Sequence, residues 1–218
     1  MKKELKRGLI VFMMFAVGAV TAYSVFYPEE PLPILNASDL NPELIDSTVS
    51  LADKDHFIGN FNLTNQDGNK VNPLTFKDKV YVANFIFTTC PKMCPLMTSN
   101  LRTVYISFKD DPSVSFISHS VTPLEDSVPV LKEFANQYEI SGNQWHFVTG
   151  DKKDIYNLAR KNYFAATTKG DGGANDFVHT ENFVLIDTKK RIRGIYDGTS
   201  FDEIDQLIED IKILKQEH

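Results

Sequence analysis

The eight residues Val80-Tyr-Val-Ala-Asn-Phe-Ile-Phe87 constrain this chain more than any others. The run is nearly unbroken in its apolar character, whereas a half-buried strand would alternate apolar with polar residues. It therefore reads as a strand covered on both faces, and covering both faces calls for helices on either side of a sheet. The flanking sequence supplies them. Leu101, Val104, Tyr105 and Phe108 keep helical spacing, which predicts a helix over about 95–108. Further along, 114–121 reads as a strand, 127–138 as a helix and 145–148 as a short strand. A helix over 151–162 follows, with Asp151 as its N-cap. The segments 182–186 and 192–196 form a strand pair, and an amphipathic helix from Asp202 carries Ile204, Leu207, Ile208, Ile211 and Leu214. Upstream, Phe57 to Val71 reads as a hairpin turning at Asp67-Gly68. The alternation implies an α/β fold, a mixed central sheet flanked by helices.

The N-terminus sets the compartment. Leu9 to Tyr27 is a run of 19 residues without a charge, and at about 1.5 Å per helical residue it spans roughly the hydrocarbon core of a bilayer. Lys2, Lys3, Lys6 and Arg7 precede it, while Glu29 and Glu30 follow. The positive-inside tendency keeps such a head cytoplasmic and exports the rest. A buried core helix would be polar on one face, and this segment is apolar all round. A cleaved signal peptide is the rival, with Val20-Thr21-Ala22 as a loose cleavage site, but the run exceeds a usual signal core. The expected organisation is a cytoplasmic head at 1–8, a single transmembrane anchor at 9–27, a proline-dotted linker at 28–52 (Pro28, Pro31, Pro33, Pro42) and one soluble domain at 53–218. The expected location is the bacterial inner membrane, with the domain on the periplasmic side.

Charge excludes one class of partner. With 23 Lys+Arg against 29 Asp+Glu the net charge is −6, without the basic stripe of a nucleic-acid binder. Two cysteines are too few for a disulfide-stapled miniprotein, so they serve a site or a single bridge.

Both lie in Thr88-Thr89-Cys90-Pro91-Lys92-Met93-Cys94-Pro95, just past the carboxyl end of the central strand, the edge at which α/β sheets bind ligands. Pro95 suits the first position of the next helix and makes Cys94 the expected N-cap, with a thiol pKa lowered by the helix dipole and by Lys92. Three intervening residues let the sulfurs converge, as a disulfide or as two soft ligands of one ion. A purely structural bridge is disfavoured because so short a loop removes little unfolded-state entropy. Two thiolates need a third ligand, and among five histidines His179 is the best placed, after a glycine-rich loop (167–176) and before a strand. A Cys₂His set suits Cu(I) and permits Cu(II). Zinc competes, but structural zinc takes four protein ligands and three are found. Met93 and Met97 read as core or surface residues rather than thioether ligands, His119 as a hydrogen-bonded structural histidine, and His56, His146 and His218 as residues with no evident partner. The stretch 170–176 lacks the spacing of a calcium loop and the ending of a phosphate loop.

The residues resemble the Sco/SenC family, thioredoxin-fold proteins that deliver copper to the CuA centre of cytochrome oxidase. The family's Cys-Pro-x-x-Cys-Pro stands here as Cys90-Pro91-Lys92-Met93-Cys94-Pro95. Its distal histidine matches His179 ahead of Leu185-Ile186-Asp187, its Val-Asp-Pro-x-x-Asp segment matches Val121-Thr122-Pro123-Leu124-Glu125-Asp126, and Trp145-His-Phe-Val-Thr-Gly150 also matches. The resemblance covers Phe57 to the end, together with the N-terminal anchor. It implies a thioredoxin-like fold, copper ligands Cys90, Cys94 and His179, and Asp126 as a supporting residue near the site. Implied partners are the oxidase subunit bearing CuA and a thioredoxin-like reductant. Thr122 departs from the family's aspartate, and Lys92 places a cation where many members are acidic or neutral.

The expected function is thus a membrane-anchored copper chaperone that is not an enzyme, its disulfide the off state and its reduced pair the loading state. The alternative is an exported thiol–disulfide oxidoreductase acting on the same oxidase subunit. Peroxidase chemistry is a weaker route, since Ala83 and Phe87 occupy the positions its Pro-x-x-x-Thr-x-x-Cys motif needs. Thioredoxin-type exchange is disfavoured by three residues between the cysteines and no proline between Asp176 and Asp187.

Overall fold

The computed structural model describes residues 2–26, 31–40, 56–165, 172–173 and 176–217, with 2–5, 11 and 20–26 described by backbone alone. The chain divides into two units, Met1–Pro31 and Leu32–His218. The first holds one helix, α1 (Lys2–Phe26), on which Leu9, Ile10, Phe12, Met13, Met14, Phe15 and Val17 are exposed. Among the described residues no helix is long and apolar enough to cross a membrane. The span expected over 9–27 continues through side chains at 20–26 and through Tyr27, which lie outside the described residues. The structure gives a helix where the anchor is expected, and not the anchor itself.

The second unit is a layered α/β domain. Its strands are β1 (Leu63–Asn65), β2 (Lys70–Val71), β3 (Val80–Ile86), β4 (Val114–Ser120), β5 (Trp145–Thr149), β6 (Asn182–Ile186) and β7 (Ile192–Asp197), and its helices are α2 (Met93–Ser107), α3 (Val128–Gln137), α4 (Lys152–Asn157) and α5 (Phe201–Gln216). One seven-stranded sheet runs β2-β1-β5-β4-β3-β6-β7. Its centre, β3-β4-β5, is parallel, and its margins are antiparallel. The apolar run is where its composition demands: every residue of β3 is buried, and so is every residue of β4. Alternate side chains feed two cores. On one face Val82, Ile86, Phe116, Trp145 and Phe147 pack beneath Leu101 of α2, Leu131 of α3 and Leu207 and Ile211 of α5. On the other, Tyr81, Ala83, Phe85, Ile117 and Val148 pack beneath Ile155 and Tyr156 of α4, together with Tyr163.

Local chemistry punctuates these elements. Ser127 stands at the N-cap of α3, the Asp151 side chain accepts from the backbone N–H of Lys153 and Asp154 at α4, and the Ser200 hydroxyl accepts from Glu203 N–H at α5. The hairpin turns at Gly68, whose φ of 78° suits a residue without Cβ. Two expectations change. The helix expected over 151–162 keeps α-geometry only to Asn157, then widens into a π-helical turn over Leu158–Asn162, closed by Tyr163 N–H donating to Leu158 O at 2.9 Å. Part of the expected linker belongs to the domain: Leu35 N–H donates to Ile192 O at 2.9 Å, Arg193 donates to Pro33 O at 3.0 Å, and Ala37 is buried. Residues 28–30 and 41–52 of that linker, the boundary at 52/53 and most of the glycine-rich loop lie outside the described residues.

Candidate metal centre

Parallel pairing brings the carboxyl ends of β3 and β4 to one edge, and the ladder extends past them, with Val121 N–H donating to Ile86 O at 2.8 Å. The chain leaves β3 through Phe87-Thr88-Thr89 into Cys90, and leaves β4 through Val121-Thr122 toward Asp126. Because β6 is antiparallel to β3, its beginning lies at the same edge. Tyr81 stands opposite Ile186, Val82 opposite Leu185 and Ala83 opposite Val184. The segment that carries Phe177 and His179 therefore enters β6 from that edge. A ring contact links the two segments, Phe177 meeting Phe87 edge-on at 5.3 Å.

The cysteines are free, buried and adjacent. Cys94 N–H donates to Cys90 Sγ at 3.3 Å, so the helix has its cap residue at Lys92 and Cys94 in the first turn. This corrects the expectation of Cys94 as N-cap: the Cys90 sulfur takes the capping role, by accepting a backbone donor of the first turn. The correction reverses the thiol chemistry. Burial works against the Cys90 thiolate, but backbone N–H groups of Cys94, Lys92 and Met93 and the Cys94 thiol outweigh it, so its pKa is lowered from the ordinary thiol value. Cys94 is pushed up to about 12, first by burial, then by its contact with Cys90 and the charges of Cys90 and Asp126, against a lowering contact with the Phe87 backbone. Cys90 is thus the more acidic of the two thiols, and Cys94 holds its proton the more tightly.

Asp126 is fully buried and collects four donors: Thr88 N–H at 3.3 Å, Thr88 Oγ1 at 2.5 Å, Ser120 Oγ at 2.6 Å and Thr122 Oγ1 at 3.0 Å. Its contact with the site is indirect, since it fixes Thr88 two residues before Cys90. Thr122, which stands where the Sco/SenC pattern has an aspartate, is one of these donors. A second carboxylate there would face the first. Thr88 and Ser120 escape a sequence reading, because no spacing rule joins two hydroxyls to an acid 38 and 6 residues away.

His179 lies exposed on the approach to β6, and its ring makes no hydrogen bond among the described residues. Among those residues no set of three His, Cys, Asp or Glu side chains is placed to hold a metal ion. The fold brings the two cysteines together and carries the His179 segment to their edge, with the imidazole outside the pair. The other histidines have partners where described. His119 is buried, stacked on Phe85 at 4.8 Å, with Nδ1 3.2 Å from Asn84 O. His56 Nε2 lies 2.7 Å from Asn162 O and His146 Nδ1 3.2 Å from Asn65 Nδ2, contacts that no sequence pattern announces. His218 lies outside the described residues. Met97 is buried in the α2 core and Met93 packs at its margin.

Fold and site together define a thioredoxin-like α/β protein with a Cys-x-x-x-Cys pair at the carboxyl edge of its central strand. Comparison with known proteins makes the assignment specific. The SCO1/SenC family model matches residues 49–216, and the chain belongs to that family. A SCO1 protein homolog of Bacillus subtilis is 34% identical over 154 residues, covering 70% of this chain and 79% of its own length. The solved structure of BsSco, a member of the Sco family of cytochrome c oxidase assembly proteins in which a disulfide switch has been identified, matches with a TM-score of 0.63 and 31% identity, covering 74% of this chain and 94% of that one. The fold also matches that of Bradyrhizobium japonicum ScoI with copper bound, at a TM-score of 0.57 and 23% identity, over 72% of this chain and 99% of that one.

Proposed function

We propose that this protein carries one copper ion as cargo on Cys90, Cys94 and His179 and delivers it to the CuA-bearing subunit of cytochrome c oxidase. One observation carries the reading: two free, contacting thiols sit at the sheet edge where the register of β3 and β6 also directs the His179 segment. Soft sulfur selects copper among the first-row metals, and one imidazole completes a three-ligand set. An exposed His179 is free to turn toward the pair when the ion arrives. The disulfide state is the unloaded form, and a thioredoxin-like reductant opens it with two electrons and two protons to give the thiols that load metal. Copper on ScoI and the disulfide switch of BsSco support this cycle. The helix α1, with its exposed apolar side chains, serves as the anchor that holds the domain at the periplasmic face of a bacterial inner membrane.

A second reading, thiol–disulfide exchange on cysteines of the same subunit, is favoured by the thiol asymmetry, since a low-pKa thiolate beside a protonated thiol suits attack and resolution. Copper stoichiometry on the reduced full chain separates the two, with His179→Ala alongside. The carrier binds one tight copper per chain and loses at least tenfold in affinity in the variant. Equal affinity in both proteins, with thiol exchange intact, would sink the three-ligand site and leave the exchange reading.

A further inference from the structure

We propose that a clamp of Arg160, Asp176, Lys152 and Tyr156 positions His179 for its approach to the cysteine pair, an inference that rests on the three-ligand reading. Asp176 lies three residues before His179, and its carboxylate receives a two-pronged hydrogen bond from the Arg160 guanidinium, at 2.7 and 2.6 Å. Both side chains are buried, at 4% and 6% exposure. A planar fork on a carboxylate fixes direction as well as distance. Gly172 N–H adds a third donor at 2.7 Å. Gly172 has a φ of 75°, and a Cβ there would stand 3.0 Å from the Lys153 backbone, so the close approach needs glycine. Lys152 Nζ holds the carbonyl oxygens of Gly173 and Asp176, each at 2.8 Å. The Tyr156 ring lies under both cations, 5.0 Å from Lys152 and 5.4 Å from Arg160, while its hydroxyl donates to Val121 O at 2.8 Å.

The clamp joins the backbone that leads to His179 to the β4 exit that leads to Asp126 and Thr88. Beyond it, Val178 is buried and Phe177 packs on Phe87, so the chain is fixed up to the residue before the histidine, whose ring alone is left exposed. Arg160 reaches Asp176 from the π-helical turn at 158–162. That turn offsets the face Arg160 presents from the one a continuous α-helix would give, a distortion that recurs at functional sites. The work of the clamp is to limit the orientations His179 explores before the metal arrives, so the third ligand costs less ordering on binding.

The test uses the reduced full chain with Asp176→Asn, Lys152→Met and His179→Ala, reading copper affinity, the nitrogen superhyperfine splitting of the Cu(II) form and the pH titration of the cysteine thiolates. In Asp176→Asn and Lys152→Met, affinity should fall severalfold to tenfold and nitrogen splitting should weaken, while the thiolate titration stays that of the wild type. An altered fold would move all three readouts. Should Asp176→Asn fail to fold, Lys152→Met, at a side chain only partly buried, decides. Wild-type affinity and splitting in the clamp variants, with His179→Ala impaired, would overturn the clamp and leave the carrier. Wild-type behaviour in His179→Ala overturns both.

Discussion

Two buried thiols four residues apart differ in acidity because backbone N–H groups converge on the Cys90 sulfur, while burial holds the proton on Cys94. Cys90 and Cys94 are both buried, at 8% and 5% exposure; burial is the first cause that raises the Cys94 thiol, whereas at Cys90 backbone donors outweigh it. Cys90 therefore loses its proton below the ordinary thiol value, and Cys94 only near 12. Of the two, Cys90 is the readier nucleophile. Brief alkylation of the reduced protein at pH 7, mapped by mass spectrometry, should label Cys90 at least tenfold faster than Cys94. In Cys90→Ser the remaining thiol should stay slow until the pH is strongly alkaline. Equal labelling of the two would contradict the assignment of Cys90 as the capping sulfur. The sequence placed the pair at a helix start but chose the wrong partner for the dipole, because the cap depends on which backbone N–H reaches which sulfur.

Among the elements, α4 is the most economical and the most exposed to failure. It has six residues, fewer than an isolated helix needs for stability. Its first turn depends on Asp151, which accepts from Lys153 N–H at 2.8 Å and Asp154 N–H at 3.1 Å. Asp151→Ala should cost about 1 kcal/mol in urea unfolding, with amide exchange rising first at 153 and 154. A stability equal to the wild type, with exchange unchanged, would show that packing of Ile155 and Tyr156 holds α4 without its cap. The central elements were legible as sequence. The run at β3 gave its own bounds to within a residue, since a strand buried on both faces tolerates few polar side chains. The π-helical turn after α4 was not legible, because Leu158 to Asn162 carry no proline or glycine and continue a helical pattern. From that turn Arg160 meets Asp176, 16 residues further along the chain.

Over the whole domain, buried histidines set the response to acid. His119 and His146 are both lowered to about 4, chiefly by burial, with the Lys79 charge second for His146. Their ordinary value is near 6.5, so in the window between 6.5 and 4 the unfolded chain binds protons that the folded domain refuses. Stability is complete above 6.5 and falls as the pH drops through that window. The loss approaches about 3 kcal/mol for each histidine at pH 4, and unfolding near pH 5 should take up close to two protons. Urea midpoints between pH 7 and 4 measure the slope. A flat profile above pH 5 would mean that these rings are protonated in the fold. His119→Phe should remove about half of the slope, since its ring already stacks on Phe85 among apolar neighbours.

The sequence by itself determined the layering, the order of the elements and the two cysteines at the edge of the central strand. Each follows from local rules: a doubly covered strand must be apolar throughout, helices repeat their apolar residues every three to four positions, and a thiol pair with three residues between them can converge. Tertiary structure alone decided which thiol ionises, how Asp126 reaches the cysteine loop through Thr88, that 32–40 rests on the domain, and that Arg160 grips Asp176 ahead of His179. All four are pairings between residues distant in sequence or between one atom and several competing donors. Such pairings depend on the sheet's strand order and register, which no window of sequence contains.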